Sequence, residues 1–301
     1  MAMGASSLAA EAGVAFVALL AAQEKAALQT SVGEELGRLR NIVASRAELG
    51  MASRYDLTRL EVELGSFRTR LEDAKGDIAD RAGNLAALLG MQNWRPKAAG
   101  NLIPLAMAPD ALGNNRDRAL SSPAALSALG EEKLAQSAVE VARRERWPVP
   151  SVSVGRSWTS DPFGAVNFLG LSVEIPLLDT RRGPVAKAEV EATAATLRRE
   201  LVTAEAAAML QRYASVIAAR QSALQRFDAE AASRLLALKE MAENAYRLGR
   251  GSIFELLDST RSRYELHQMR IDLMFALVEA QLRFLATSGE LERSMGRAEK
   301  P

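Results

Sequence analysis

From Leu57 to Leu88 the apolar positions recur in alternating steps of three and four: Leu57, Leu60, Leu64, Phe67, Leu71, Ala74 and Ile78, then, past an interruption at Arg81, Leu85 and Leu88. That spacing predicts a long helix which lays one stripe against neighbouring helices. A second stripe, Leu257, Thr260, Tyr264, His267, Ile271, Met274, Val278, Gln281 and Leu285, keeps the spacing with more polar members, and is expected to face wetter surroundings in places. Pro184 suits the first turn of another helix. The stretch from Pro184 to Tyr246 holds 63 residues, roughly 95 Å if helical throughout.

Between the helical segments the period changes to two. Residues 92–123 are rich in Pro, Gly and Asn and read as an irregular connection. A shorter helix from about Ala124 to Arg146 stops at Trp147-Pro148-Val149-Pro150. Val152 and Val154 then alternate with small or polar residues up to Trp158. From Ala165 to Leu177 the alternation is clearer, with Leu169, Leu171, Val173, Ile175 and Leu177 on one face and Phe168, Gly170, Ser172 and Glu174 on the other. At a tilt near 45° those residues cover about 30 Å. One face suits lipid and the other water, although alternation alone fits an edge hairpin on a soluble helix equally well.

The helical segments repeat. Leu49-Gly50-Met51-Ala52-Ser53-Arg54-Tyr55-Asp56-Leu57 matches Leu248-Gly249-Arg250-Gly251-Ser252-Ile253-Phe254-Glu255-Leu256 at an offset of 199 positions, with four identities and an aromatic-acid pair in register. The same offset carries Gly90 onto Gly289. Each copy is therefore predicted to be a long antiparallel helical hairpin, reversing at a glycine and restarting at a serine cap.

Composition narrows the function classes. Hydrophobic residues make up 48% but aromatics only 5%, which favours slender, alanine-rich helical packing. The 38 basic and 37 acidic residues nearly cancel and form no basic block, so nucleic acid is not an expected partner. There is no cysteine, which excludes disulfides and thiolate chemistry. His267 is the single histidine, without company for a metal, and no phosphate loop, Ser-His-Asp set or Glu-x-x-His motif is present. No catalytic residue, cofactor or metal site is expected, and the chain is not read as an enzyme. No run of about 18 uncharged apolar residues suits a spanning helix, and Ala12 to Ala22 is short for a signal and lacks a preceding Lys or Arg.

The order of these features carries a resemblance. A strand ending Val173-Glu174-Ile175-Pro176-Leu177-Leu178-Asp179 runs into Arg181-Arg182-Gly183-Pro184-Val185-Ala186-Lys187-Ala188-Glu189, and Ala245-Tyr246-Arg247-Leu248-Gly249 precedes Leu256-Leu257-Asp258. Together, from about residue 10 to residue 290, these resemble the TolC-like outer-membrane efflux proteins. The resemblance implies a mainly α fold of long antiparallel helical hairpins forming a tunnel, with a transmembrane β-hairpin contributing to a trimeric β-barrel. It implies an incomplete first-repeat hairpin over 1–91, an irregular connection and short helix over 92–147, the strand hairpin over 148–178, the second-repeat hairpin over 179–290 and a tail over 291–301. It further implies a passive export duct of a tripartite efflux or secretion system, a homotrimer in outer-membrane lipid reaching into the periplasm, where it meets an adaptor and an inner-membrane pump.

By the same resemblance Leu49, Gly50, Met51, Leu248, Gly249 and Arg250 are adaptor-docking turns, and Asp56, Tyr246, Glu255 and Asp258 lie at the entrance aperture. Leu169, Leu171, Val173 and Ile175 face lipid. Acids in a helix's first turn also have a plainer use, favouring the helix amino terminus, and both readings of Asp56, Glu255 and Asp258 stand. The family has two strand hairpins and this sequence has one; the repeat offset puts the other ahead of residue 1, so the chain is expected to lack an amino-terminal portion with its signal peptide. A peripheral coiled-coil scaffold without a pore is the alternative.

Overall fold

The computed structural model describes residues 2–91, 93–107, 112–147, 150–158, 164–173 and 182–291. Seven helices and two strands follow in the order α1 (Ala2–Glu48), α2 (Arg54–Leu88), α3 (Asn115–Leu120), α4 (Pro123–Arg144), β1 (Pro150–Trp158), β2 (Ala165–Val173), α5 (Arg182–Glu230), α6 (Ala232–Arg247) and α7 (Ile253–Ser288). The chain divides into two compact units, one of Met1–Asn115 with Ala208–Pro301 and the other of Arg116–Ala207.

In the first unit the repeat is visible in the helix boundaries: α2 and α7 begin at Arg54 and Ile253, the same offset apart. Gly50, Gly90, Gly249 and Gly289 all adopt left-handed φ, between 67° and 74°. At the two reversals the geometry is the same. The amides of Gly50 and Met51 donate to the carbonyls of Ala47 and Arg46 at 3.0 and 2.7 Å, and those of Gly249 and Arg250 to Tyr246 and Ala245 at 3.1 and 2.9 Å. These paired bonds satisfy carbonyls that a helix end leaves open, and only a residue without a Cβ takes the required φ freely.

The stripe on α2 is buried at Leu60, Leu64, Phe67 and Leu85 and half-buried from Leu71 to Ile78. On α7, Leu257, Thr260, Tyr264, Met274 and Val278 are buried as the spacing predicts, while His267 sits at the exposed edge. Gln281 departs from expectation. It is fully buried, not wet, because its side chain holds the irregular connection: Nε2 donates to the Leu105 carbonyl at 3.1 Å and Oε1 accepts from the Leu105 amide at 2.9 Å. Gln23 and Glu24 on α1 likewise accept from the amides of Ala98 and Leu102, each at 3.0 Å. A non-repetitive segment lies against helices only if its backbone groups find such partners.

Two expectations are refined. The helical stretch from Pro184 to Tyr246 is interrupted at one residue, Ala231, where φ is −101° and no side chain caps α6, while the amides of Ala231 and Leu235 still donate to Phe227 and Ala231 at 2.9 and 3.0 Å. And α1, although it holds no uncharged apolar run of about 18 residues, contains a stretch within Ser7–Glu48 whose 18-residue mean hydropathy of 1.3 suits a membrane span by length and composition. In the fold much of that stretch is core: Ala15, Ala18, Leu19, Leu20, Ala21 and Ala22 are buried. Leu282 of α7 comes so close to Gly13 that a Cβ there would meet its methyl at 3.4 Å.

In the second unit, Ser122 caps α4 by accepting from the Ala125 amide at 3.2 Å, with Pro123 in the first turn. α4 and the start of α5 are tied in antiparallel order by Arg143 with Glu189 and, farther along, Glu132 with Thr196 and Arg199. β1 and β2 form an antiparallel two-stranded sheet that pairs Pro150 with Val173 and Trp158 with Ala165. Ile175 and Leu177 lie outside the described residues.

Replacing Gln281 with Met removes both bonds to Leu105 while keeping the bulk, and leaves a donor and an acceptor without their partner. We expect a loss of about 2 kcal/mol, read by thermal or urea denaturation of the full chain.

Candidate functional site

The two reversals lie side by side. The Arg46 guanidinium, one turn before the first, donates from Nη1 to the carbonyls of Tyr246 at 2.8 Å and Arg247 at 3.4 Å, and stands 5.4 Å from the centre of the Tyr246 ring. A cation placed there meets the negative end of the α6 dipole and the face of an aromatic ring. Beneath this contact one core joins both repeats, with Val32, Leu36, Leu39 and Val43 from α1, Leu60, Leu64 and Phe67 from α2, Tyr246 from α6, and Ile253, Leu256, Leu257 and Tyr264 from α7. Phe67 meets Tyr264 edge to face at 5.0 Å between centroids, an arrangement favoured by the ring quadrupoles. The Tyr264 hydroxyl accepts from Gln29 at 2.9 Å.

The candidate docking residues sit outside that core. Leu49 and Leu248 are 71% and 67% exposed and Met51 is 59% exposed. Tyr55 and Phe254, which occupy matching positions in the two copies, are also exposed. The tip thus presents apolar side chains from both copies to solvent, beside exposed Arg247 and Arg250.

Of the four candidate aperture residues, the structure brings Asp56 and Tyr246 within electrostatic range. Burial first, and then the Asp56 charge, push the Tyr246 phenol above its ordinary pKa, partly offset by Arg46. Tyr246 itself is buried in the tip core. Asp56 and Glu255 have the plainer use as well: Ser53 and Ser252 accept from their amides at 3.1 and 3.2 Å, and their carboxylates accept from the serine amides at 3.2 and 3.1 Å. Both are complete capping boxes. Asp258 is exposed and acts on its neighbour, its charge raising the Arg261 pKa behind the larger effect of Glu63.

Two buried carboxylates, unforeseen in the sequence, stiffen this region. Glu63, with a side chain only 5% exposed, is held by both Nε and Nη2 of Arg261. Glu35 is held between Lys239, at 3.1 Å, and Arg263. The Glu63–Arg261 pair has no counterpart in the other repeat: Ser262 and Val62 occupy the matching positions. Heptad phase alone therefore gave no signal for them, beyond a charge one step from the apolar stripe.

The strand hairpin has two chemically distinct faces. Val152 and Leu171 are paired on one, as are Val154 and Leu169, with Val173 at the edge; all five are exposed, Leu169 and Leu171 by 78% and 74%. The other face carries Ser151 against Ser172, their hydroxyls 2.7 Å apart, Ser153 against Gly170, and the Phe168 ring over Gly155, where a Cβ would collide at 2.5 Å. The candidate lipid-facing residues Leu169, Leu171 and Val173 thus share one uncovered apolar surface; Ile175 lies outside the described residues. Among the described residues no cluster of His, Asp and Glu is arranged to hold a metal.

Arg261 keeps the Glu63 carboxyl below its ordinary pKa by hydrogen bonding. A carboxyl depressed in the fold stabilises it fully above the unfolded pKa, and that stability is lost as pH falls through the folded value. Arg261→Ala should strand the buried charge and cost about 2 kcal/mol at neutral pH, below the usual range for breaking a fully buried pair because the guanidinium is 41% exposed. The loss should shrink below about pH 4, as denaturation across a pH series will show.

No family model matches the chain. Over 173 residues it is 27% identical to the cobalt-zinc-cadmium resistance protein CzcC of Cupriavidus metallidurans, an alignment covering 56% of this chain and 40% of that protein. Among solved structures it superposes on a membrane protein from Pseudomonas aeruginosa with a TM-score of 0.80 at 17% identity, covering 95% of this chain and 66% of that one. For CusC the values are 0.78, 20%, 95% and 69%, and for the outer-membrane channel MtrE of Neisseria gonorrhoeae, in its open state, 0.76, 18%, 94% and 66%. The chain spans two fifths of the curated relative and about two thirds of these structures. The resemblance carried by the strand exit and the paired turns is thereby borne out at the level of architecture: this chain has the fold of the TolC-like outer-membrane efflux channels.

Proposed function

We propose that the chain is one subunit of an outer-membrane duct that passes solutes outward without chemistry of its own, working with a periplasmic adaptor and an inner-membrane pump. The observation that carries this reading is the strand hairpin, whose apolar face of Val152, Val154, Leu169, Leu171 and Val173 is exposed while its other face carries mainly Ser and Gly, with Val166 and Phe168 towards the turn. A two-stranded sheet with both edges open is marginal in water, and outer-membrane barrels use at least eight strands. Three copies of this hairpin supply six strands, so a homotrimer closes such a barrel only with strands beyond the described ones, and lipid then lies on the apolar side. A scaffold without a pore has no use for such a face.

Within this reading the tip residues Leu49, Gly50, Met51, Leu248, Gly249 and Arg250 dock the adaptor, their leucines supplying the apolar contact. Asp56 and Glu255 set the helix starts. Tyr246 ties the two copies at the entrance, and Asp258, exposed and repeated around a trimer axis, lends the entrance a preference for cations. Relatedness to a protein named for cobalt, zinc and cadmium resistance makes divalent metal cations the first solute class to assay.

Purified from membranes in mild detergent, the protein should sediment as a trimer. Recovery as a monomer in the soluble fraction would contradict the proposal.

A further inference from the structure

One polar row interrupts the apolar strand face. Arg156 on β1 is paired with Asn167 on β2, on the same side of the sheet as the Val154–Leu169 and Val152–Leu171 pairs. The next row outward is Trp158 with Ala165, and the Arg156 guanidinium lies 4.5 Å from the centre of the Trp158 ring. Trp158 is 74% exposed. This row is at the end of the hairpin remote from α4 and α5, since Pro150 and Val173 form the opposite end.

A guanidinium on a lipid-facing strand position is costly at the bilayer midplane and tolerated near the interface, where Trp also concentrates. The residue therefore fixes the level of the sheet. The apolar rows run from Val154–Leu169 through Val152–Leu171 to Pro150–Val173, away from the turn, and the Arg156–Asn167 row ends them on the turn side. Arg156, Asn167 and Trp158 therefore sit where the apolar face gives way, at the headgroup boundary on the turn side. There the guanidinium is stacked on an indole, and the residue paired with it across the strands is the amide Asn167. Its fork of donors matches the oxygens of a phosphate.

The geometry points to a lipid-phosphate site: Arg156, oriented by Trp158 and supported by Asn167, binds the phosphate headgroup of an anionic lipid in the leaflet remote from the helices. This inference rests on the apolar strand face lying in lipid. It adds a ligand, a level and an orientation to that reading.

Trp158 reports on the site directly. The chain has three tryptophans, so a Trp94→Phe, Trp147→Phe background leaves it as the sole indole. The full chain is reconstituted into phosphatidylcholine vesicles in which either the phosphatidylcholine or a minor fraction of phosphatidic acid carries brominated acyl chains. At equal mole fraction, quenching should show about a fivefold preference for the phosphatidic acid, the scale expected of one arginine at an anionic surface. Arg156→Gln should abolish the preference and Arg156→Lys should retain part of it, with the overall depth of Trp158 unchanged.

Equal quenching by both lipids in the parent protein, or an undiminished preference in Arg156→Gln, overturns the site while leaving the strand face in lipid. Loss of the preference on adding inorganic phosphate also overturns it, because the site then takes free phosphate instead of a headgroup. Quenching by neither lipid refutes the lipid-facing strand itself.

Discussion

The helical unit is held in register where the end of α1 meets the end of α6. There the Arg46 guanidinium bonds the terminal carbonyls of α6 and covers the Tyr246 ring. Each repeat alone is a hairpin whose stripe of moderate-sized side chains buries little area, and long thin helices of this kind slide easily. One cation bridging the copies at their tips fixes which turn of α1 faces which turn of α6. The apolar core from Val32 to Tyr264 then packs in a single arrangement beneath it. Glu35 and Glu63 act in the same sense, since a buried carboxylate tolerates only a register that delivers its arginine or lysine. Such pairs add little net stability but penalise alternatives heavily.

The strand unit has the opposite character. Its helices are joined by pairs such as Arg143 with Glu189 but leave Leu134, Val141, Val190 and Leu197 exposed, and its sheet leaves an apolar face and, among the described residues, two edges uncovered. Water penalises that surface and lipid does not. The physical distinction between the two units is thus one of solvent: the first buries an apolar core of its own, whereas the second has an apolar surface that, in the proposed duct, meets a bilayer and further strands.

Much of this was legible in the residues. The 199-residue offset located both reversals because Gly at a left-handed position and Ser at a helix start are dictated by backbone chemistry, which local sequence records. The strand faces followed from parity, whereas the register between the strands is what sets Arg156 beside the apolar pairs. Other features depended on which helices become neighbours, information that no single stripe contains. Gln281 looked like a polar lapse in a heptad and is instead a buried clamp on Leu105. Nothing local to Arg46 announces its contact with the end of α6. The break at Ala231 has no proline or glycine to announce it, and nothing in the local packing explains it. Asp56 and Glu255 illustrate a residue type with two uses, of which the capping box is the one the backbone geometry displays.

The central claim is that an apolar strand face and a paired helical tip together make a conduit. Its most direct test is current through a planar lipid bilayer containing the purified oligomer. The account predicts discrete, stepwise conductance with a preference for cations that weakens in Asp258→Asn. A protein that inserts stably yet passes no ions under any applied potential would contradict it.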